Sequence, residues 1–128
     1  MRALTTTILL ILAPALASCG SESADLKAPE TPPTVAIEAV AERMDVKHAV
    51  FADLANALPQ DALLLTNTSS LSVDEIFAQT PNPERCAGMH FFNPVRKMPL
   101  VEIIRGARTS DETVARVAAL ALRMGKTP

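Results

Sequence analysis

Short apolar runs alternate with amphipathic stretches along most of this chain. The runs are rich in Val, Ile and Leu, are bounded by turn residues, and predict four strands, at positions 35–40, 62–65, 86–92 and 100–104. Strands that alternate with helices favour an α/β fold with a mostly parallel sheet and flanking helices. Four strands are too few for a complete doubly wound domain.

Three stretches are predicted to be helices. The first covers 44–58, and its apolar face is predicted to enter the core: Met44, Val46, Val50, Phe51, Leu54 and Leu58. Four polar residues are predicted to lie off that face: Asp45, Lys47, His48 and Asp53. Ser72 and Glu75 fit a capping box that begins the second helix, and Thr109 and Glu112 fit another that begins the third. Gly125 is a natural end for the third helix.

The N-terminal residues differ from the rest of the chain. A short positive start is followed by the apolar run Ile8–Leu12 and by Leu16-Ala17-Ser18-Cys19, which together predict a signal peptide over 1–19. The last four residues are similar to a lipobox, in which Cys19 would carry a lipid and anchor the chain to a membrane. The alternative is a chance apolar leader with one cysteine.

The next residues, 20–33, are rich in Ser, Glu, Ala and Pro and predict a flexible linker. The folded part is therefore expected to be 34–128. The leader, taken by itself, places the protein in the cell envelope.

Composition narrows the function further. The chain has 128 residues, 48% of them hydrophobic, which suits one domain of modest size. A net charge of −2 provides no basic surface for nucleic acid. Cys19 and Cys86 lie in different contexts, so neither a disulfide framework nor a metal site is expected. The sequence has four glycines and no Gly-x-Gly-x-x-Gly motif.

The strongest chemical candidate is His90 in the stretch 88–94, followed by Glu102 in the next apolar run. Free imidazole has a pKa of about 6.5, so a histidine can accept a proton near neutral pH, and a carboxylate partner orients it. Two adjacent strands could bring these side chains together and form a general base. The alternatives are an ordinary histidine at a strand end and an acid that faces water.

Polar residues also follow the second predicted strand. Positions 66–70 read Thr-Asn-Thr-Ser-Ser, and open α/β sheets bind ligands at the carboxyl ends of their strands. Ser69 and Ser70 could instead serve only as turn formers.

Several motifs in order give the stretch from 35 to 128 a strong resemblance to one family: Ile37-Glu38-Ala39-Val40, Asp45-Val46-Lys47, Thr66-Asn67-Thr68-Ser69-Ser70-Leu71, Gly88 through Pro94, Leu100-Val101-Glu102, Thr109-Ser110-Asp111-Glu112-Thr113 and Gly125-Lys126-Thr127-Pro128. The chain resembles the second half of the NAD-binding domain of 3-hydroxyacyl-CoA dehydrogenases. The resemblance implies a partial Rossmann-type fold and the NAD-dependent oxidation of a 3-hydroxyacyl-CoA to a 3-oxoacyl-CoA, as in fatty acid β-oxidation.

The resemblance also implies residue roles. His90 would be the general base, Glu102 would orient it, and Ser69 would lie near the substrate hydroxyl. Six positions match the family's cofactor contacts: Val40, Ala41, Glu42, Lys47, Ser69 and Asn93. Without the resemblance, Glu42 and Lys47 could form a solvated helix face, and Asn93 could simply make a turn before Pro94.

This sequence departs from the family at both ends. A leader and linker stand where the family has its first strand and glycine-rich turn, and the family's helical domain is expected after Pro128. The chain is therefore expected to be a truncated fragment, active if a partner chain supplies these parts and otherwise an inactive remnant, and the family implies the cytoplasm. The open edge of the first predicted strand predicts low stability or self-association. The alternative function is that of a small envelope lipoprotein that uses the fold fragment for binding or structure.

Overall fold

In the part of the chain that the structure describes, five strands form one sheet in the order β1-β2-β3-β4-β5. The computed structural model describes residues 8–12 and 34–128. The strands are β1 (Ile8–Leu12), β2 (Val35–Ala39), β3 (Leu63–Thr66), β4 (Cys86–Phe91) and β5 (Val101–Ile104). The first four run parallel to one another, and β5 runs antiparallel to β4. The predicted α/β fold with a mostly parallel sheet is confirmed.

Helices cover both faces of the sheet. They are α1 (Met44–Ala57), α2 (Val73–Ile76) and α3 (Asp111–Arg123). One buried cluster joins Val117, Leu120 and Ala121 of α3 to the sheet, and the other joins α1 and α2 to the opposite face. On that second face the rings of Phe51 and Phe77 lie 4.6 Å apart. Alternate residues of β2 and β3 enter opposite clusters, so these strands are buried on both sides, as parallel strands usually are.

The helix ends show which capping predictions hold. Ser72 begins α2, and its hydroxyl accepts a hydrogen bond from the amide of Glu75 at 3.3 Å, as predicted. The prediction that Thr109 caps the third helix is wrong, because Ser110 is the cap and accepts from the amide of Thr113. Thr109 instead donates its hydroxyl to the carbonyl of Cys86 at 2.7 Å. It therefore ties the loop before α3 to the sheet.

Helix α1 buries a charge on its inner face. Lys47, Phe51 and Leu54 are its buried residues, and positions i, i+4 and i+7 of a helix share one face. The prediction that Lys47 lies among the outer polar residues is therefore wrong. Lys47 is only 1% exposed, and a lysine this deep requires a carboxylate partner.

The N-terminal apolar run belongs to the sheet. Strand β1 pairs in parallel with β2 from Ile8 opposite Val35 to Leu12 opposite Ala39. The expectation that β2 forms the open edge is wrong, because β1 covers it and is the end strand among the described residues. Cys19, the rest of the predicted signal peptide and the predicted linker 20–33 lie outside the described residues. None of the helices within 34–128 is long and apolar enough to cross a membrane.

Gly88 gives a first testable prediction about packing. A methyl group at this position of β4 would meet Cβ of Ile104 at 2.8 Å and Cγ2 of Val73 at 3.2 Å. Since the nearest atom lies close to the backbone of β5, the sheet itself must shift. We expect Gly88→Ala to lower the free energy of unfolding by about 1–3 kcal/mol, as overpacking does, measured by urea titration.

Gly125→Asn is the matched control for this prediction. Gly125 has a φ of 71° and open space around the position of a side chain, and asparagine tolerates that backbone conformation. A comparable loss of stability in both variants would mean that backbone freedom, and not the contact with β5, makes Gly88 important.

Candidate functional site

His90 and Glu102 meet across the antiparallel pair β4–β5. The register places the two residues opposite each other, and Nδ1 of His90 lies 2.8 Å from Oε2 of Glu102. The side chain of His90 is 17% exposed and that of Glu102 is 53% exposed. Since a carboxylate only accepts hydrogen bonds, Nδ1 carries a proton in this contact, and in the neutral ring Nε2 then keeps a lone pair. The predicted juxtaposition is confirmed, and it leaves an imidazole nitrogen able to accept a proton.

Neighbouring groups fix this end of the sheet. The ring of Phe92 lies 4.8 Å from that of His90, tilted by 54°. Asn67 accepts a hydrogen bond from the amide of Phe91 at 2.8 Å through its side chain, and donates its own amide to the carbonyl of Glu38. Asn67 therefore links the carboxyl ends of β2, β3 and β4. The sequence predicted that the polar residues at 66–70 bind a ligand. It did not predict that Asn67 connects the strands.

A cleft of about 230 Å³ lies beside the histidine. One wall is the turn from Thr68 to Val73, and the other consists of His90, Glu102 and Ile104. Ser69 is exposed in the first wall. The cleft therefore brings together three of the predicted site residues: an imidazole, its carboxylate partner and a hydroxyl. Val40, Ala41, Glu42, Lys47 and Asn93 are not among the residues in its lining.

Glu42 holds the turn that forms the first wall. Its Oε1 accepts hydrogen bonds from the Thr68 hydroxyl and from the amides of Ser69 and Ser70, at 3.0 and 3.2 Å for the amides. Desolvation raises the pKa of Glu42, but the bonds from Thr68 and Ser70 and the nearby Lys47 charge outweigh it and lower the pKa to about 2. Glu42 lies before the first residue of α1 and bonds to this turn. The alternative interpretation, in which Glu42 and Lys47 form a helix face exposed to solvent, is therefore excluded.

Lys47 connects Glu42 to a second carboxylate inside the protein. Its Nζ lies 2.6 Å from Oε1 of Glu38 and 3.3 Å from Oε2 of Glu42. Glu38 is fully buried, and it also accepts bonds from the Thr66 hydroxyl at 2.8 Å and the Val40 amide at 2.7 Å. The sequence analysis assigned Glu38 no role. An acid inside an apolar strand was the signal that could have found it.

The other predicted cofactor residues are placed as follows. Val40 and Ala41 follow β2 directly, next to Glu42, and Asn93 is exposed after β4 in a cis peptide bond with Pro94. The ammonium group of Lys47 is bonded to protein carboxylates and is closed off from solvent. The roles of these residues as cofactor contacts remain predictions.

Acid is expected to weaken the fold through Glu42. Its folded pKa of about 2 lies below its ordinary value of 4.5, so its contribution to stability is complete above the unfolded pKa and is lost as pH falls through the folded one. We expect the free energy of unfolding to decline between about pH 4.5 and about pH 2, and Glu42→Gln to remove part of that decline.

Urea titrations at a series of pH values measure this effect. Asp53→Asn, which neutralises an exposed carboxylate on α1, is the control and should leave the pH profile unchanged. If Glu42→Gln also leaves it unchanged, Glu42 does not hold the turn as its contacts indicate.

Known proteins resemble this chain over the same region. A curated relative, the fatty acid oxidation complex subunit alpha of Idiomarina loihiensis, is 52% identical over 94 residues, which are 73% of this chain and 13% of that protein. The crystal structure of 3-hydroxybutyryl-CoA dehydrogenase from Escherichia coli is 49% identical with a TM-score of 0.73, over 75% of this chain and 20% of that one. PaaH1, the (S)-3-hydroxybutyryl-CoA dehydrogenase of Ralstonia eutropha, is 42% identical with a TM-score of 0.73, over 75% and 34%.

The chain thus spans a minor part of each relative's length. The sequence pattern that defines the NAD-binding domain of 3-hydroxyacyl-CoA dehydrogenase matches residues 14–128. That match begins well before position 35, where the resemblance was predicted to start. Since it covers most of the chain, this protein belongs to the family of 3-hydroxyacyl-CoA dehydrogenase NAD-binding domains.

Proposed function

We propose that this chain serves the NAD-dependent oxidation of a 3-hydroxyacyl-CoA to a 3-oxoacyl-CoA, the dehydrogenation step of fatty acid β-oxidation. It contributes the proton-accepting half of the site, and the remaining parts of the enzyme come from other domains, whether of the same polypeptide or of a partner chain. The observation that carries the proposal is the hydrogen bond between His90 and Glu102 at the edge of a cleft that Ser69 also lines.

The chemistry follows from the two nitrogens of the imidazole. Nε2 of His90 takes the proton of the substrate hydroxyl while the C3–H bond breaks and the C3–O bond becomes a carbonyl. Glu102 keeps the proton on Nδ1 and stabilises the positive charge that the ring gains. In this proposal the hydroxyl of Ser69, which lines the same cleft, bonds the substrate oxygen. NAD, when bound, supplies the acceptor for the hydride that leaves C3.

The residues present fit one end of the dinucleotide. Hydroxyl and carboxylate groups at the carboxyl ends of β2 and β3 suit the nicotinamide and its ribose, at the edge where α/β sheets bind ligands. The pyrophosphate normally lies on a glycine-rich turn at a helix N-terminus. The sequence contains no Gly-x-Gly-x-x-Gly, so we assign that cradle to a part of the enzyme outside these 128 residues, on the same polypeptide or on a partner chain.

A chimera tests this proposal. Residues 34–128 would replace the corresponding segment of the Idiomarina loihiensis relative, and NADH formation from 3-hydroxybutyryl-CoA would be followed. We expect a dehydrogenase whose kcat/KM is within about tenfold of the parent's, because the transplanted segment retains the acid–base pair. A folded chimera without activity would overturn the proposal. The full 128-residue chain, assayed alone, is the control for the need for a partner.

We further propose that the chain works in the cytoplasm, where acyl-CoA and NAD occur, with its N-terminal segment retained. Removal of the residues before Cys19 would remove β1, which pairs with β2 along its whole length. The competing proposal, an envelope lipoprotein anchored through Cys19, is supported by the Leu-Ala-Ser-Cys sequence at 16–19. Cell fractionation with mass spectrometry of the N-terminus distinguishes them, since a lipidated Cys19 in the membrane fraction would reject the cytoplasmic proposal.

A further inference from the structure

The turn of residues 93–100, which joins β4 to β5, lies outside the core and is called the β4–β5 turn below. All eight of its residues are exposed, so side-chain burial does not fix it in place. Within it, the amides of Lys97 and Met98 donate to the carbonyl of Pro94 at 2.9 and 3.0 Å. The turn separates the two strands that carry the acid–base pair. The contacts that hold it therefore bear on how the two side chains of that pair meet.

The segment that follows α3 supplies such contacts. The ammonium group of Lys126 donates hydrogen bonds to the carbonyls of Val95 and Met98, the latter at 2.7 Å. The amide of Thr127 donates to the carbonyl of Pro99 at 2.8 Å. These bonds tie the middle and the far end of the β4–β5 turn to the end of α3, and Lys126 is the charged donor among them.

The end of α3 is itself anchored in the core. The amide of Gly125 donates to the carbonyl of Leu122 at 3.0 Å, and the amide of Lys126 donates to the carbonyl of Ala121 at 2.9 Å. With Gly125 at a φ of 71°, these two bonds form the Schellman motif that ends many helices. Ala121 is fully buried in the cluster that α3 forms with the sheet. The backbone of Lys126 is therefore fixed relative to β4 and β5, and its side chain extends from there to the turn.

We propose that Lys126 is a positioning residue that acts through the β4–β5 turn to keep Glu102 beside His90. The two side chains lie 2.8 Å apart, although that of Glu102 is 53% exposed. Since an exposed side chain loses entropy when it is held in one geometry, the placement of β5 decides whether the carboxylate meets the imidazole. The catalytic consequence rests on the proposed dehydrogenase function, whereas the geometry of the pair does not. A side chain about 1 Å out of place can cost about 10²-fold in rate.

The tautomer of His90 reports on this geometry in the full 128-residue chain. While Glu102 accepts a bond from Nδ1, the neutral ring carries its proton there, whereas free histidine in water favours the Nε2–H form. His48 is an internal reference in the same spectrum, because its Nε2 lies 2.9 Å from the carbonyl of Glu75 and so carries the proton. NMR of the ring nitrogens in alkaline buffer, where imidazole is neutral, distinguishes the two forms.

Lys126→Met keeps most of the bulk of the side chain and removes its donors. We expect His90 to change from mainly Nδ1–H to mainly Nε2–H in this variant, as it should in Glu102→Ala, which removes the carboxylate itself. Lys126→Arg retains charged donors and should keep the Nδ1–H form. Lys97→Met is the matched control, because it removes an exposed lysine of the same turn, and it should also keep that form. An unchanged His90 tautomer in Lys126→Met would overturn the proposal.

The variants are expected to fold, because Lys126 belongs to neither buried cluster. The backbone amide spectrum of each sample checks this. If Lys126→Met does not fold, Lys126→Gln answers the same question, since its side chain is uncharged and shorter. An unchanged His90 tautomer in a folded Lys126→Gln would equally overturn the proposal.

The second measurement uses the chimera described above. Lys126→Met should lose about 10²-fold in kcat/KM, mainly through kcat, while Lys126→Arg and Lys97→Met retain activity. Full activity in Lys126→Met would also overturn the positioning role. If the parent chimera is inactive while the tautomer of His90 changes, the dehydrogenase function fails and the placement of Glu102 by Lys126 stands.

Discussion

Replacement of His90 by alanine is expected to lower the kcat of the chimeric dehydrogenase by about 10²- to 10⁴-fold, the usual contribution of a positioned acid–base group. In the proposed mechanism the imidazole is the proton acceptor, and water in the enlarged cleft has neither its basicity nor its placement by Glu102 at 2.8 Å. Binding of the acyl-CoA depends mainly on other groups, so KM should change much less than kcat. Initial rates of NADH formation over a range of substrate concentrations measure both constants.

His48→Ala is the matched control, because the sequence contains only these two histidines. His48 lies on α1, and its Nε2 bonds to the carbonyl of Glu75 at 2.9 Å, away from the cleft. It should retain activity close to that of the parent. If His90→Ala keeps most of the kcat, the proton goes to another group, and the proposed mechanism is wrong even if the chimera is a dehydrogenase.

The acid–base pair is the part of the site that the sequence predicts best. The stretch 88–94 ends an apolar run, and the next apolar run contains one acid, so neighbouring strands suffice to bring His90 and Glu102 together. The actual register places them directly opposite each other. The antiparallel direction of β5 was not predicted, because apolar runs indicate strands without indicating their direction.

The buried charges were missed for a physical reason. Lysine and glutamate are almost never fully buried unless paired, so Lys47 was assigned to the outside of α1 and Glu38 to no role. The helical spacing could have predicted the burial of Lys47, because it shares one face of α1 with Phe51 and Leu54. Recognising the pair from sequence requires knowing that α1 packs beside the end of β2, which is a fact of tertiary structure.

The strand β1 was missed because a short apolar run has several physical explanations. Five apolar residues, Ile8–Leu12, fit both a buried strand and the core of a signal peptide. Periodicity cannot distinguish them, and the positive start and Cys19 favour the second. In the structure the run pairs with β2, the edge that was expected to be open. Cleavage of the predicted signal peptide would therefore remove a strand of the sheet, so the stability of the fold bears on whether the leader is cleaved.

Truncation to residues 20–128 is expected to lower the free energy of unfolding by several kcal/mol. Strand β1 is in register with all five residues of β2, and a typical backbone hydrogen bond contributes about 0.5–1.5 kcal/mol. Against a typical total of about 5–15 kcal/mol, such a loss leaves a marginal domain. It also exposes the edge of β2, which predicts association between chains. Urea titration and analytical ultracentrifugation at several concentrations measure both effects.

Proline substitutions in the full chain test whether pairing, and not chain length, is responsible. Successive amides of a strand point to opposite sides, so only one of Leu9→Pro and Leu10→Pro should remove a bond to β2 and destabilise the protein strongly. If the truncated chain is monomeric and as stable as the full chain, β1 is dispensable, and cleavage before Cys19 would leave an intact domain. If it is unstable, a cleaved lipoprotein would lose the strand that pairs with β2, and the uncleaved form is the one that the fold favours.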